Sequence, residues 1–300
     1  MARIPFDLAE TLAVVVDEGT LDAAARRLHI TPSAVSQRIK ALEEILGRVV
    51  LVRAKPARPT EAGAAVVRLA RQASLLEHDT LAELGADPQD GPLSIPLAVN
   101  ADSLATWFLA PLARVGERHP VVFELHRDDQ DFTAGLLESG TVMGAVTSRE
   151  VAVAGCRVSV LGAMRYEAVA TPAYVEKWLG KGVDAASLAG APVVDFDRRD
   201  DLQTRWLEAM AADAGSPPRH YVPASHDFAT AALLGFGWAL LPTFQSADAL
   251  ASGALVRLGG PPIDVPLFWQ QWNLRSPLLD AIADEIVAEG RRVLAPVTRR

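Results

Sequence analysis

Residues 20–40, Thr-Leu-Asp-Ala-Ala-Ala-Arg-Arg-Leu-His-Ile-Thr-Pro-Ser-Ala-Val-Ser-Gln-Arg-Ile-Lys, read as two helices joined by a tight turn. Thr31 is a good N-cap and Pro32 suits the first helical position, where a missing N–H costs nothing, so the second helix is predicted to begin at Pro32. At roughly 100° per residue, Val35, Ile39, Leu42 and Leu46 form an apolar stripe, while Ser33, Ser36, Gln37 and Lys40 gather on the opposite side. One face packs. The other carries short hydroxyls and an amide near the helix N-terminus, the end that a recognition helix inserts into the major groove, with Lys40 in reach of a phosphate. Thr20 can cap the preceding helix, which is predicted to bury Leu21, Ala24, Ala25 and Leu28. Upstream, Phe6, Leu8, Leu12, Val15 and Val16 predict a further amphipathic helix ending near Gly19. The pattern is a helix-turn-helix, and it points to double-stranded DNA.

Amphipathic helix pairs are common, so charge has to separate a DNA reader from an ordinary bundle. Residues 26–58 hold Arg26, Arg27, Arg38, Lys40, Arg48, Arg53, Lys55 and Arg58 against Glu43 and Glu44, a net +6 within a chain of net charge −8. A local basic block in an acidic protein is the footprint of a phosphate-contacting surface. Val49-Val50-Leu51-Val52 reads as a short strand and Arg53 to Pro59 as a basic loop, together a wing. Arg53, Lys55 and Arg58 would touch backbone or minor groove there, positioning the protein without specifying sequence.

These residues carry a resemblance. Ala24-Ala25-x-x-Leu28, Ser-Ala-Val-Ser-x-x-Ile-x-x-Leu-Glu from Ser33, Leu46-Gly47 and Thr-Glu-Ala-Gly at 60–63 resemble the LysR-type transcriptional regulators. Leu51 stands where that family often has Phe. Val-Ser-Gln-Arg-Ile-Lys-Ala-Leu-Glu, Leu-Ala-Val-Asn-Ala-Asp-Ser-Leu-Ala-Thr-Trp at 97–107, Gly-Ala-Val-Thr at 144–147 and Phe-Trp-Gln at 268–270 are similar to the LysG/ArgP subgroup. The resemblance implies control of a basic amino-acid exporter by lysine, arginine or a related metabolite, with RNA polymerase as a further candidate partner.

Three hundred residues, half of them hydrophobic, suffice for two or three folded units, since single cores rarely grow beyond about 250 residues. No stretch approaches the roughly 20 apolar residues of a membrane span, and the N-terminus lacks a signal-peptide pattern, so a cytoplasmic protein with no membrane partner is expected. The single cysteine, Cys156, excludes an intramolecular disulfide and a cysteine-built zinc site. Gly155-Cys156 reads as a turn into a strand more readily than as a redox sensor. The six histidines fall at no metal-ligand spacing, and neither a metal nor a cofactor is expected.

The expected organisation is α/β and multidomain: a winged helix-turn-helix over 1–60, a linker helix and hinge over 61–90, and an effector domain over 91–300. Residues 61–84 contain no proline and place Ala62, Val66, Leu69, Ala73 and Leu76 at alternating spacings of four and three, which suits a coiled-coil seam. Two recognition helices one duplex turn apart require a homodimer, or a homotetramer built from dimers. Gly85 to Pro92 reads as a hinge. From Leu93 strands and helices alternate: Leu93–Val99, a helix from about Ser103, Val121–His126, a helix from about Phe132, and Val142–Val146. Further strands are predicted near 166–170, 192–196, 219–224, 237–241, 254–258 and 265–272, and a last helix near 277–294. The resemblance implies a periplasmic-binding-protein-like pair of α/β subdomains with two strands crossing between them, the second lobe at about 163–266.

In open α/β sheets ligands gather at the carboxyl ends of strands and at helix N-termini. Val99 to Ser103 is such a junction: Ser103 could hold a carboxylate, Thr106 lies one turn on, and Trp107 could wall the cleft. Equally, Ser103 could be a plain cap and Trp107 core. A cationic ligand would need carboxylates at its other end, because a buried cation without a partner is costly. Asp128, Asp129 and Asp131 follow one predicted strand; Asp195, Asp197, Asp200 and Asp201 follow another. Asp129 and Asp197 are the leading candidates, with Asp128, Asp201 and Thr147 beside them. Asp227 and Phe228 open another helix, where a loop could place one polar and one apolar contact.

An enzyme with a DNA-binding appendage is a second class, but no Gly-x-Gly-x-x-Gly, phosphate-binding Gly-Lys-Ser/Thr loop, Gly-x-Ser-x-Gly or His-Glu-x-x-His occurs. A transport-type solute-binding protein and a ligand-indifferent DNA binder are the remaining classes. The helix-turn-helix argues against the former, and promoter selectivity would separate the latter.

Overall fold

The computed structural model describes residues 3–85, 92–127 and 133–297. Most of the expected hinge, and both Asp128 and Asp129, lie outside these residues. The chain opens with helices α1 (Phe6–Glu18), α2 (Leu21–Arg27) and α3 (Pro32–Leu46), followed by strands β1 (Leu51–Val52) and β2 (Arg58–Pro59). Local chemistry sets each boundary. The Thr20 hydroxyl accepts from Ala23 N and the Thr31 hydroxyl from Ala34 N, each satisfying an otherwise orphaned helix donor, and Gly19 and Gly47 close α1 and α3 in the left-handed conformation. Leu12, Val15, Ala24, Val35, Ile39 and Leu42 are buried together. The two short strands pair antiparallel, Leu51 opposite Pro59, and form the wing.

Helix α4 (Glu61–Glu83) leaves the wing under a Thr60 cap. The expected seam divides between neighbours: Val66 joins Val67 and Ala70 in the core of the DNA-binding unit, while Leu69 and Leu76 stay exposed. Leu75 enters the core of the following domain.

That domain comprises β3 (Leu93–Val99), α5 (Ala101–Thr106), α6 (Leu109–Gly116), β4 (Val121–Arg127), α7 (Thr133–Glu138), β5 (Gly144–Thr147), β6 (Cys156–Ala170), α8 (Pro172–Leu179), α9 (Ala185–Gly190), β7 (Val193–Asp195), α10 (Leu202–Ala209), β8 (Arg219–Tyr221), α11 (Ser225–Leu233), β9 (Ala239–Pro242), α12 (Thr243–Ala251), β10 (Val256–Arg257), β11 (Ile263–Trp272) and α13 (Pro277–Val293). In one lobe the strand order is β4-β3-β5-β11-β6, with β3 parallel to β4 and β5. The long strands β6 and β11 run on as an antiparallel pair into the second lobe, their register shifting at Leu267/Phe268. There β9 and β10 pair with β6, and the parallel pair β7-β8 joins through Val193 and Trp238. Two α/β lobes therefore share two crossing strands.

Two elements differ from the sequence-based expectation. The strand predicted near 166–170 and the turn into a strand read at Gly155-Cys156 are one continuous strand, whose first residues, 156–160, lie in the first lobe, are largely exposed and lack the continuous apolar run of a fully buried strand. The helix expected from about Ser103 begins at Ala101, which turns Ser103 from a cap into a fully buried residue inside the first turn. Among the described residues no helix is long and apolar enough to cross a membrane, and no group of three or more His, Cys, Asp or Glu side chains could hold a metal. Burial pushes the Cys156 thiol up to about 11, and the neighbouring Arg157 is engaged with Asp280, so this cysteine is poorly disposed to form a thiolate.

Candidate functional site

The first candidate surface is the outer face of α3 with the wing. Ser33, Gln37 and Lys40 are exposed and Ser36 is half-buried on this face. Lys40 stands 3.7 Å from Glu44, an exposed pair one turn apart that a phosphate can displace at little cost. Arg38 departs from the pattern: its guanidinium donates to the buried Thr11 hydroxyl of α1 at 3.2 Å, so it braces the helix bundle. On the wing, Arg53, Lys55 and Arg58 are exposed, with no carboxylate in ion-pair reach among the described residues. The wing is tied down by Ala57 N donating to Gly19 O at 2.7 Å and Thr60 N to Val50 O at 3.0 Å.

The second candidate is a cavity of about 160 Å³ between the lobes, several times the roughly 30 Å³ share of one water. Asn100 and Asp102, at the start of α5, and Arg127, at the end of β4, come from the first lobe. Tyr166, the turn carrying Phe196, Asp197, Arg199 and Asp200, and Gln203, Phe228, Leu240 and Pro242 come from the second. The site thus sits at strand ends and at the crossing between lobes, where ligands of open α/β sheets gather.

Its polar groups are mostly acceptors. Asp102 is half-buried, and its two oxygens receive the Tyr166 hydroxyl at 2.7 Å and the Ser225 hydroxyl at 2.6 Å. Gln245 Nε2 donates to Ser225 Oγ at 2.9 Å, which leaves the serine proton for Asp102. Burial pushes the Asp102 carboxyl up, and the two hydroxyls only partly offset it. Asp200 accepts from Phe196 N at 3.2 Å and Leu202 N at 3.1 Å. Burial nevertheless raises it to about 6, with the Asp195 and Asp102 charges adding to the rise. Asp197 behaves oppositely: burial pushes it up, but the backbone N–H and guanidinium of Arg199 and the Asp200 N–H outweigh this and hold it below the usual carboxylate range. Two further acceptors, Asn100 Oδ1 and Gln203 Oε1, are buried without a hydrogen-bond partner among the described residues. Such groups are costly unless a donor reaches them. Two cations line the cavity: Arg127 of the first lobe, with a long 3.4 Å contact to Pro223 O, and Arg199 of the second, paired with Asp197.

Of the residues singled out in the sequence, the structure brings Asp197 and Phe228 into this cavity. Six others require correction. Thr106 returns its hydroxyl to Asp102 O at 2.6 Å, one turn back on its own helix. Trp107 is buried core, packed edge-on against Phe108 at 5.7 Å. Asp201 is exposed and faces Arg205 at 3.9 Å, and Asp227 is exposed on the outer side of α11. Ser103 and Thr147 are fully buried and absent from the lining; the Thr147 hydroxyl accepts from Arg149 N at 3.1 Å. Sequence reasoning named Asp200 in the acidic cluster but ranked it behind Asp197 and Asp201, and it missed Asp102, Asn100, Gln203, Tyr166 and Arg127. Asp102 lay within the very junction singled out, and only the fold decides that it, and not the fully buried Ser103, lines the cavity.

Comparison with known proteins bears on both surfaces. Residues 6–64 match the bacterial regulatory helix-turn-helix protein model of the lysR family, and residues 90–291 match the LysR substrate binding domain. The chain belongs to the LysR family. Within it, this LysR-type regulator falls in the LysG/ArgP subgroup. It is 46% identical to the HTH-type transcriptional regulator LysG of Mycobacterium tuberculosis over 277 residues, 92% of this chain and 90% of that one. It is 42% identical to the lysine export transcriptional regulatory protein LysG of Corynebacterium efficiens over 283 residues, 94% of this chain and 96% of the relative. Full-length LysG of Corynebacterium glutamicum, solved with bound effector Arg, superposes with a TM-score of 0.77 at 37% identity, covering 98% of this chain and 100% of that one. The LysR-type chain is a transcription regulator and not an enzyme.

Proposed function

We propose that this regulator senses a basic amino acid, lysine or arginine, in the interlobe cavity and with it controls transcription of an amino-acid exporter gene from the cytoplasm. The observation that carries the reading is the excess of acceptors in the cavity: Asp102, Asp197 and Asp200 beside the orphaned Asn100 Oδ1 and Gln203 Oε1. A ligand rich in N–H donors and positive charge satisfies all of them, and Arg127 is placed for its carboxylate. The lysine-export name of one relative and the arginine bound in another support the same class. Domain limits near 60 and 90, with a second lobe at about 163–266, complete the proposal. So does a homodimer or homotetramer in which the exposed Leu69 and Leu76 are covered, and RNA polymerase is retained as a partner at the promoter.

The test is calorimetric titration of the full-length protein with lysine, arginine, norleucine, citrulline and glutamate. Saturable binding of lysine or arginine and none of norleucine or glutamate is the expected result; preference for a neutral or acidic compound overturns it.

On DNA, Lys55→Ala is expected to weaken operator and unrelated duplexes alike and to lower the slope of log affinity against log salt by about 1. Gln37→Ala is expected to cost about 1–3 kcal/mol on the operator alone, because it removes a base-edge contact. Anisotropy titrations at several salt concentrations separate the two.

A further inference from the structure

Helix α4 belongs to two cores. Val66, Val67 and Ala70 are buried with the DNA-binding unit, Leu75 with the effector domain, and the changeover falls within about a turn and a half. Arg71 lies in that stretch. Its guanidinium pairs with the Asp17 carboxylate of α1, in the DNA-binding unit, and also donates to the carbonyls of Gly140 and Thr141, in the effector domain between α7 and β5. The Arg71 side chain is 10% exposed and that of Asp17 24%, so water competes weakly for these bonds. One turn earlier, Arg68 donates to Glu138 O at 3.0 Å. The receiving loop is shaped for this approach: Gly140 has φ 73°, and a Cβ there would stand 2.6 Å from the Arg68 Cβ.

Elsewhere the two bodies do not fuse. Ala13, Val14 and Asp17 of α1 face Ser94, Pro96 and Glu124 of the effector sheet across a crevice of about 160 Å³. A polar bridge between otherwise separate cores is a joint, not a core. The loop it grips leads directly into β5, whose parallel register with β3 (Leu97 opposite Gly144) sets Thr147 level with Asn100 of the cavity. One short strand, on the order of 10–13 Å at the usual rise, separates joint from cavity.

We propose that Arg71 is a positioning residue whose guanidinium, shared between Asp17 and the 140–141 carbonyls, sets the orientation of the recognition helix relative to the effector lobe. Displacement of the 140–141 loop then reaches α1 of the DNA-binding unit through the Arg71 guanidinium. A planar fork holds the carboxylate and the two carbonyls in one fixed arrangement; a lysine ammonium keeps the charge without that geometry. The coupling to effector rests on the function proposed above, while the joint itself does not.

The test uses full-length protein in which Cys156 is first replaced by serine and spin labels are placed at the exposed Asp22 and Glu117, with labelled chains diluted into unlabelled ones. Arg71→Lys, Arg71→Gln and Asp17→Asn are each expected to broaden or shift the distance distribution measured by pulsed electron paramagnetic resonance. The Asp17→Asn/Arg71→Gln pair is expected to go no further than Arg71→Gln alone. In the same proteins effector affinity should stay within twofold of the parent, while the ratio of operator affinities with and without effector falls at least fivefold toward 1. Distance distributions unchanged in all three variants overturn the proposal, as do fully additive effects in the pair. A parent that binds no basic amino acid would defeat the functional reading alone, because the distance measurement needs no ligand.

Discussion

Asp200→Asn is expected to make the empty protein more stable at pH 7.5 and to weaken lysine or arginine binding at least tenfold. Asp200 titrates at about 6 in the folded chain against an ordinary 3.8, because burial penalises its charge more than the Phe196 and Leu202 N–H groups relieve it. A carboxyl raised in this way holds its proton in the native state where the unfolded chain has released it. Its stabilising contribution is fully present below about 3.8 and is lost as pH rises through about 6. At pH 7.5 the ionised group is a net cost, on the order of 1–3 kcal/mol once partial exposure is allowed for. Asparagine removes that cost, and the gain should vanish at pH 4, where the parent is itself neutral.

Binding runs the other way. A cationic effector needs the ionised carboxylate, and losing one partner of a desolvated charge pair costs about 2–5 kcal/mol. Affinity of the parent is therefore expected to fall as pH drops through about 6, with Asp197, held ionised by Arg199, losing its charge only at lower pH. Thermal melts at pH 4 and 7.5, with calorimetric titrations across pH 5–8, supply the check. Reduced stability at pH 7.5 together with unchanged affinity would remove Asp200 from the site.

Gly63→Ala is expected to cripple the DNA-binding unit and leave the effector domain intact. A Cβ at Gly63 would lie 1.9 Å from the Val50 carbonyl oxygen and 3.2 Å from the Pro59 Cβ, so it meets backbone that has nowhere to go. That carbonyl already accepts Thr60 N at 3.0 Å, which fixes the wing against the start of α4. Forcing a methyl into such a contact costs about 3 kcal/mol. At roughly 4–8 °C per kcal/mol for a unit of this size, the midpoint of the DNA-binding transition should fall by about 12–24 °C. Operator binding should be lost well before effector binding, because the two cores are separate. Calorimetric scanning resolves this; an unshifted transition would mean that α4 can slide off the wing without penalty.

Gly63 also marks where sequence and structure part company. As the last residue of Thr-Glu-Ala-Gly it contributed to a family resemblance, but its physical reason, a helix laid against a carbonyl of the wing, is a contact between segments thirteen positions apart. The same division runs through the effector domain. Strand positions such as Leu93–Val99 and residues 265–272 of β11 were legible from alternation and apolar runs. The unbroken run of β6 was not: its start at Gly155-Cys156 and its end near 166–170 read as separate pieces, because their continuity depends on pairing with β11 across both lobes.

By itself the sequence determined what depends on neighbours a turn apart. The Thr20 and Thr31 caps, Pro32 at the head of the recognition helix, the glycine stops and the apolar stripe of Val35, Ile39 and Leu42 all follow from local hydrogen bonding and helical period, and together they specify a DNA-reading unit. Tertiary structure alone decided which polar groups face the cavity. In the run Asp197 to Asp201, one carboxylate is held by Arg199, one is buried to a pKa of about 6 and one points to water; at the other junction Asp102 turns inward toward Tyr166 and Ser225. Adjacent acids are alike as sequence and differ only in what long-range packing places over them, because desolvation and charge are properties of the assembled cleft.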